Sequence, residues 1–239
     1  MLILYFGIHF TILVQMHNMK ILFTFFIVFA SLFNTDVFAQ KILNDIVLTY
    51  KISIQSAKGE KQVAGLLNGA TLSLYLTKDK SRSEMVSAPG NESNVFDNKI
   101  GKGFILREYS GQKLMITTTS DNWEQKNLIN SKLSFEIENT TVEIGGYNCK
   151  KATAVSPDGK LYTVYFDPTY ILANKSYNNA FPQIQGLPVQ YELGSGNLIF
   201  KYSLIKFSKE LINTSRFEAP KSGFRIMTYE ENQQLKKGE

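Results

Sequence analysis

Apolar and polar residues alternate along most of the chain from Asp45 onward. The clearest example runs from Ile46 to Ile54, where every even-numbered position is apolar or aromatic and most odd-numbered positions are polar. Successive side chains of a β-strand point to opposite faces, so a period of two predicts strands that bury one face, as in an antiparallel sheet. We therefore predict a mainly β protein.

Turn-forming segments separate the alternating runs at intervals of about 8 to 12 residues, the spacing of meandering β folds. Three of these segments predict β-hairpins: Lys78-Asp79, Ser110-Gly111 and Ser156 to Gly159. Each lies between two runs that have the length and pattern of strands. The order of the hairpins along the chain favours strands that pair with their sequence neighbours.

Two stretches lack the alternation: residues 121–130, which contain the only tryptophan, and residues 168–188, which are rich in asparagine. We expect short helices or long loops in both. The residues from about 230 to Glu239 are mostly polar, and we predict that they form a frayed C-terminal tail.

The first 39 residues are more apolar than the rest of the chain and predict a leader. Met19 starts the best-formed signal peptide, with an apolar run of 13 residues at positions 21–33. Val37 and Ala39 supply the small residues that signal peptidase accepts, so we predict cleavage before Gln40. The run is shorter than the roughly 20 residues needed to cross a bilayer. We therefore predict a protein of the periplasm or cell envelope.

Cleavage would leave one β-rich domain of 200 residues, 40–239, with a net charge that stays at +5. A domain of this size buries about 70% of its unfolded surface, so no second domain is required. No cysteine lies directly after the cleavage site, which argues against a lipoprotein. A start at Met1 in place of Met19 would lengthen the apolar segment and favour an uncleaved membrane anchor.

The predicted domain lacks the residues of many common active sites. His9 and His17 both lie upstream of Met19, and Cys149 is the only cysteine. These counts exclude Ser-His and Cys-His nucleophile pairs, clusters of cysteine and histidine around a metal, and internal disulfides. The basic residues are dispersed, which argues against nucleic-acid binding. We predict a non-enzymatic protein without metal or cofactor, in which Cys149 is a small buried side chain.

Glu136 and Glu138 are the one pair of carboxylates that fits a catalytic pattern. On a strand they would share a face, about 7 Å apart, a separation that an inverting glycosidase could use. They also alternate with apolar residues, as the solvent-facing side of an ordinary strand does. A carboxylate-dependent hydrolase is therefore kept only as a remote alternative.

The later strands carry large side chains at both odd and even positions. Examples are Leu161 to Phe166 and Leu198 to Phe207. Something other than water is then expected to cover the second face of the sheet. A covering segment at about 170–184 could pack there as ordinary core, or it could enclose an apolar cavity for a hydrophobic ligand.

Four groups of residues resemble the GLPGLI family and related families of unknown function, within the LolA-like lipoprotein-carrier superfamily. They are Gly146-Tyr147-Asn148-Cys149-Lys150-Lys151-Ala152, Asp158-Gly159-Lys160, Gly186-Leu187-Pro188 with Tyr191-Glu192-Leu193, and Phe217-x-x-Pro220-x-x-Gly223-Phe224. The resemblance covers about residues 45–228. The chain departs from the family at Tyr165-Phe166, where relatives often carry tryptophan, and at Val189-Gln190, where the six-residue name motif is not completed.

The resemblance implies a strongly curved antiparallel sheet that forms an incomplete, LolA-like barrel. One or two short helices or loops would cover its concave face. It also implies an envelope protein with a cavity for lipid or acyl chains. The family has no established activity to transfer.

We expect five side chains to line such a cavity: Tyr162, Val164, Phe166, Leu187 and Tyr191. The predicted function is non-catalytic binding of a hydrophobic small molecule or lipid. An alternative is a structural or interaction module, in which an envelope protein or a second copy of the chain covers the same apolar faces.

Overall fold

The structure is a computed structural model, and it describes residues 40–56, 65, 67–157, 159–177, 181, 183–195 and 198–237. The leader predicted in residues 1–39 lies outside the described residues. Within the described part, no helix has both the length and the apolar character that a membrane crossing requires.

The described residues form fourteen strands, two α-helices and one 3-10 helix. In chain order the elements are β1 Lys41–Leu43, β2 Ile46–Ser56, β3 Thr71–Leu76, β4 Lys80–Ser87, β5 Gly90–Asp97, β6 Lys102–Tyr109, β7 Gln112–Thr119, α1 Ser120–Ser131, β8 Glu136–Ile144, β9 Tyr147–Val155, β10 Leu161–Asp167, β11 Tyr170–Leu172, β12 Leu187–Ser195, β13 Leu198–Lys209, the 3-10 helix Thr214–Phe217, β14 Arg225–Thr228 and α2 Tyr229–Lys237.

Twelve of the strands form one sheet in the order β14-β7-β6-β5-β4-β3-β2-β13-β12-β10-β9-β8. All neighbouring pairs are antiparallel except β14 and β7, which run parallel. In this order β14 and β8 are the two edges, so the sheet does not close. The prediction of a mainly β protein with an open antiparallel sheet is confirmed.

The predicted hairpins β3–β4, β6–β7 and β9–β10 are all present. At the β6–β7 turn, Ser110 has φ 50° and Gly111 has φ 80°. Two successive residues with positive φ match the twist of the flanking strands in a two-residue hairpin, and glycine adopts that conformation at low cost. The local turn chemistry therefore sets the register of this hairpin.

The segment around Trp123 forms helix α1, one of the two outcomes expected for it. Its start is capped reciprocally with Thr119: the Thr119 N–H donates to Asn122 Oδ1 over 3.1 Å, and the Asn122 N–H donates to Thr119 Oγ1 over 3.4 Å. Such bonds satisfy N–H groups that the first turn of a helix leaves without partners.

The prediction of a frayed tail from about residue 230 is wrong, because these residues form helix α2. Thr228 and Glu231 make a capping box at its start: the Thr228 N–H donates to Glu231 Oε2 over 2.7 Å, and the Glu231 N–H donates to Thr228 Oγ1 over 3.1 Å. The helix is also docked on the sheet. Arg107 Nη1 donates to Oδ1 of Asn232, which is buried.

One face of the sheet is covered by α1 and by the described residues of the segment 170–186, which we call the lid. Directly paired residues across four strands mark this covered face: Ile46, Leu76, Ser81 and Phe96. At one end of the row the Trp123 ring of α1 stacks on Phe96 with a centroid distance of 4.7 Å. At the other end Ile46 and Leu76 belong to the core that contains lid residues.

Candidate functional site

The structure brings the five predicted lining residues together. Tyr162, Val164 and Phe166 lie on β10, and Leu187 and Tyr191 lie on the neighbouring strand β12, with Val164 directly opposite Tyr191. All five are between 0% and 4% exposed and belong to one core cluster. They share this core although the pairing of β10 with β12 shifts its register between Tyr165 and Phe166.

Tyr191 is the centre of an aromatic group in this core. Its ring meets Tyr50 and Phe181 edge-on, with centroid distances of 5.2 and 5.0 Å, and stacks on Tyr202 at 4.6 Å. Tyr50 is fully buried, and its hydroxyl donates to the Pro188 carbonyl over 2.8 Å. Sequence reasoning did not assign Tyr50 to the site, although its even position in the first alternating run already indicated the buried face.

Burial also fixes the protonation of these tyrosines. Burial, and then the neighbouring tyrosines, raise the pKa of both Tyr50 and Tyr191 well above the ordinary value. An ionised phenol would lose its hydration there without gaining a cation. The hydroxyls therefore remain neutral and act as hydrogen-bonding groups of an otherwise apolar wall.

The lid is attached at its rim by a few polar contacts. The indole N–H of Trp123 donates to the Ser176 carbonyl over 3.1 Å, and Gln183 Oε1 accepts from the Phe135 N–H over 2.9 Å. Asn98 donates to Asn174 Oδ1 over 3.0 Å. The buried Nδ2 of Asn174 has no hydrogen-bond partner among the described residues, which costs about 1–3 kcal/mol in the closed arrangement.

Between these attachments the lid inserts Tyr177 and Phe181 into the core, where each is 8% exposed. The space that remains beside them measures about 30 Å³ and is lined in part by Leu172, Tyr177, Phe181 and Pro188. That volume suits about one water molecule. None of the five predicted residues lines it, because the lid's own aromatic side chains fill the place predicted for a ligand.

The opposite, open face of the later strands differs from the expectation. Leu161 is 57% exposed and Ile205 is 60% exposed, so large apolar side chains on this face meet solvent. The prediction that both faces of these strands must be covered is therefore wrong within the described residues. Leu161 is directly paired with Val155, which is 65% exposed, so two apolar side chains lie side by side in solvent on this face. Lys151, in an ion pair with Glu138, lies further along the same sheet.

The candidate catalytic pair Glu136 and Glu138 lies on the edge strand β8. Glu136 is exposed, and Glu138 accepts a hydrogen bond from Lys151 Nζ over 2.7 Å in a partly exposed ion pair. Within the described residues, no three acidic, histidine or cysteine side chains come together as metal ligands. The ion pair accounts for Glu138 as part of an ordinary strand surface.

We expect Glu136→Gln and Glu138→Gln each to change the free energy of unfolding by less than about 1 kcal/mol, because exposed ion pairs contribute little. Urea denaturation followed by circular dichroism measures the change. A larger loss would give these carboxylates a structural role. Lost activity on a panel of glycans at unchanged stability would instead support the hydrolase alternative.

Cys149 is fully buried in β9, as expected for a small buried side chain. Burial, and then the nearby Asp167 carboxylate, raise the pKa of its thiol to about 11. The thiolate is the reactive form of cysteine, so the folded protein holds this side chain in its unreactive form.

No family model and no curated protein matches the chain. Among solved structures, PNGF-II matches with 15% identity and a TM-score of 0.43 over 80% of this chain, which spans 32% of the PNGF-II chain. An uncharacterized conserved protein from Thermus thermophilus matches with 9% identity and a TM-score of 0.44, over 78% of this chain and 91% of that one. LprF from Mycobacterium bovis matches with 8% identity and a TM-score of 0.34, over 71% of this chain and 88% of the LprF chain. The resemblance to the GLPGLI family remains a prediction.

Proposed function

We propose that this chain is an exported binding protein that takes a hydrophobic ligand, such as a lipid or acyl chain, between the covered face of the sheet and the lid. The observation that carries the proposal is the filling of this space by Tyr177 and Phe181, which the lid supplies and the sheet does not. A ligand would occupy their place when the lid moves outward.

The wall behind the lid suits an apolar chain. Val164, Phe166 and Leu187 are between 0% and 2% exposed and contribute only hydrocarbon surface. Burial of such surface contributes about 25 cal/mol per Å², so an acyl chain can replace the contacts that Phe181 and Tyr177 give up. The neutral hydroxyls of Tyr50 and Tyr191 add no charge that a lipid tail would have to displace.

The lid is the part of this core that can move at the lowest cost. Among its described residues it contains only the three-residue strand β11, which pairs with the equally short β1. By contrast, β10 and β12 each have strand neighbours on both sides in the sheet. Opening would also expose the unpaired Asn174 amide to water and remove its desolvation cost.

Phe181→Ala tests the proposal with a matched control, Phe217→Ala. Both side chains are 8% exposed, but Phe217 belongs to a separate core cluster. We expect the wild type to bind a fluorescent fatty acid, and Phe181→Ala to bind it about tenfold more tightly, because the displaced ring no longer competes. Phe217→Ala should bind within about twofold of the wild type at a comparable loss of stability.

Binding that responds equally to both substitutions would place the ligand elsewhere and contradict the proposal. Binding by Phe181→Ala alone would indicate an engineered cavity, as truncated cores can bind small apolar molecules, and would also contradict it. If the alanine variant does not fold, Phe181→Leu against Phe217→Leu repeats the comparison with a smaller change in volume.

A further inference from the structure

A second cavity lies at the other end of the covered face, between β6, α1 and α2. It measures about 350 Å³, within the range of small-molecule sites. Its lining includes three basic side chains, one from each element: Arg107, Lys126 and Lys236. The remaining polar lining consists of uncharged residues, including Gln125, Gln233 and Asn232.

The charges around this cavity do not balance. The carboxylate of Glu92, on β5, does not line the cavity and accepts a hydrogen bond from Arg107 Nε over 2.8 Å. Burial alone would raise the pKa of Glu92, but the charges of Arg107 and Lys126 lower it below its ordinary value. Glu92 therefore offsets about one of the three positive charges.

Because Arg107 is paired with Glu92, the excess charge lies on Lys126 and Lys236. Lys126 is half-buried on α1, its Nζ lies 5.6 Å from the Trp123 ring centroid, and it forms no ion pair within 4.0 Å among the described residues. Burial, and then the positive charges of Arg107 and Lys236, lower its pKa despite the opposing effect of Glu92. A negatively charged ligand would relieve this repulsion.

Hydrogen-bond donors also point to an anion. Arg107 uses Nε for Glu92 and Nη1 for Asn232, and within the described part of the chain its Nη2 remains for a ligand. The same bond occupies Asn232 Oδ1, so the amide N–H groups of Asn232 remain as donors. Guanidinium, ammonium and amide donors around one space are the groups that bind phosphate oxygens.

We propose that this cavity binds a phosphate-bearing ligand, with Lys126 as the central cation and Arg107 and Lys236 on either side. The volume exceeds that of a free phosphate ion, so the cavity has room for a small phosphomonoester or for the head group of a phospholipid. Neither the position nor the chemistry of this site depends on the hydrophobic site behind the lid.

Lys126→Gln tests this site against Lys206→Gln, which removes the same charge from an exposed position on β13. The probe is glycerol 3-phosphate, and glycerol is the uncharged control. Isothermal titration calorimetry at low salt measures the binding of each. We expect the wild type to bind glycerol 3-phosphate and not glycerol. Lys126→Gln should lose about tenfold in affinity, the effect of one charged hydrogen bond, while Lys206→Gln stays within about twofold.

A conservative variant and a vesicle-binding assay complete the experiment. Lys126→Arg keeps the charge and should keep most of the affinity, which separates a binding role from a structural one. Co-sedimentation with vesicles containing phosphatidic acid, compared with phosphatidylcholine alone, decides between a lipid head group and a soluble phosphomonoester as the source. Absence of binding to both phosphate probes, or equal losses in Lys126→Gln and Lys206→Gln, would overturn the proposal.

Discussion

Replacing Tyr191 by alanine is expected to lower the free energy of unfolding by about 3–5 kcal/mol. The side chain is 1% exposed and contacts the rings of Tyr50, Phe181 and Tyr202. Truncation removes the buried surface of one aromatic ring and leaves a cavity that neighbours on two strands cannot close. Urea denaturation at equilibrium measures the loss, provided that the m-value stays close to that of the wild type.

Two controls separate the causes of this loss. Tyr165→Ala removes the same side chain from the open face of β10, where the residue is only half-buried, and should cost about 1 kcal/mol or less. Tyr50→Phe removes only the hydroxyl that donates to the Pro188 carbonyl and should lower the free energy of unfolding by about 1 kcal/mol through the loss of this buried hydrogen bond. A Tyr191→Ala effect no larger than that of Tyr165→Ala would show that the lid does not close over a packed core.

Gly186→Ala is expected to lower the free energy of unfolding by about 1–3 kcal/mol or more, although the backbone of Gly186 is not in the left-handed region. A Cβ at this position would overlap with the Phe166 ring and lie 2.9 Å from the Asp167 carbonyl oxygen. Phe166 is 2% exposed and cannot rotate away within the core. Gly186 of the Gly186-Leu187-Pro188 motif is therefore required because the end of the lid packs directly against β10 there. Thermal unfolding should show a clear drop in Tm.

A double substitution identifies the clash as the cause. Phe166→Leu alone should lower the free energy of unfolding. The double variant Phe166→Leu/Gly186→Ala should lose less stability than the two single variants added together, because the smaller side chain makes room for the methyl group. Gly65→Ala is the control without a clash: among the described residues no atom lies within 4 Å of the added Cβ, so this substitution should not lower the Tm. Strict additivity of the two substitutions would contradict this explanation.

Local patterns were sufficient for the first long strand and for the three predicted hairpins, but not for β1, β5, β11 and β14. The alternation in Ile46 to Ile54 predicts both the strand β2 and its buried face, because strand geometry alone assigns successive side chains to opposite sides. The Ser110-Gly111 turn predicts its hairpin for an equally local reason. Helix α2 had a local signal as well, the Thr228-x-x-Glu231 capping box, which the polar composition of the segment obscured.

The candidate sites depend on contacts between distant parts of the chain. The five predicted residues lie together in one buried core, but the sequence could not show that Tyr177 and Phe181 of the lid would fill the space in front of them. Packing depends on how side-chain volumes fit after the chain has folded. No periodicity along the chain encodes that fit.

By itself, then, the sequence determined the mainly β character, the three hairpins and the covered face of β2, since each follows from residues close together in the chain. Only the tertiary structure decided that the lid closes on a filled core. It also decided that Arg107, Lys126 and Lys236, dispersed along the chain, surround one cavity. The sheet and the docking of both helices bring these charges together, and an electrostatic site depends on their distance in space.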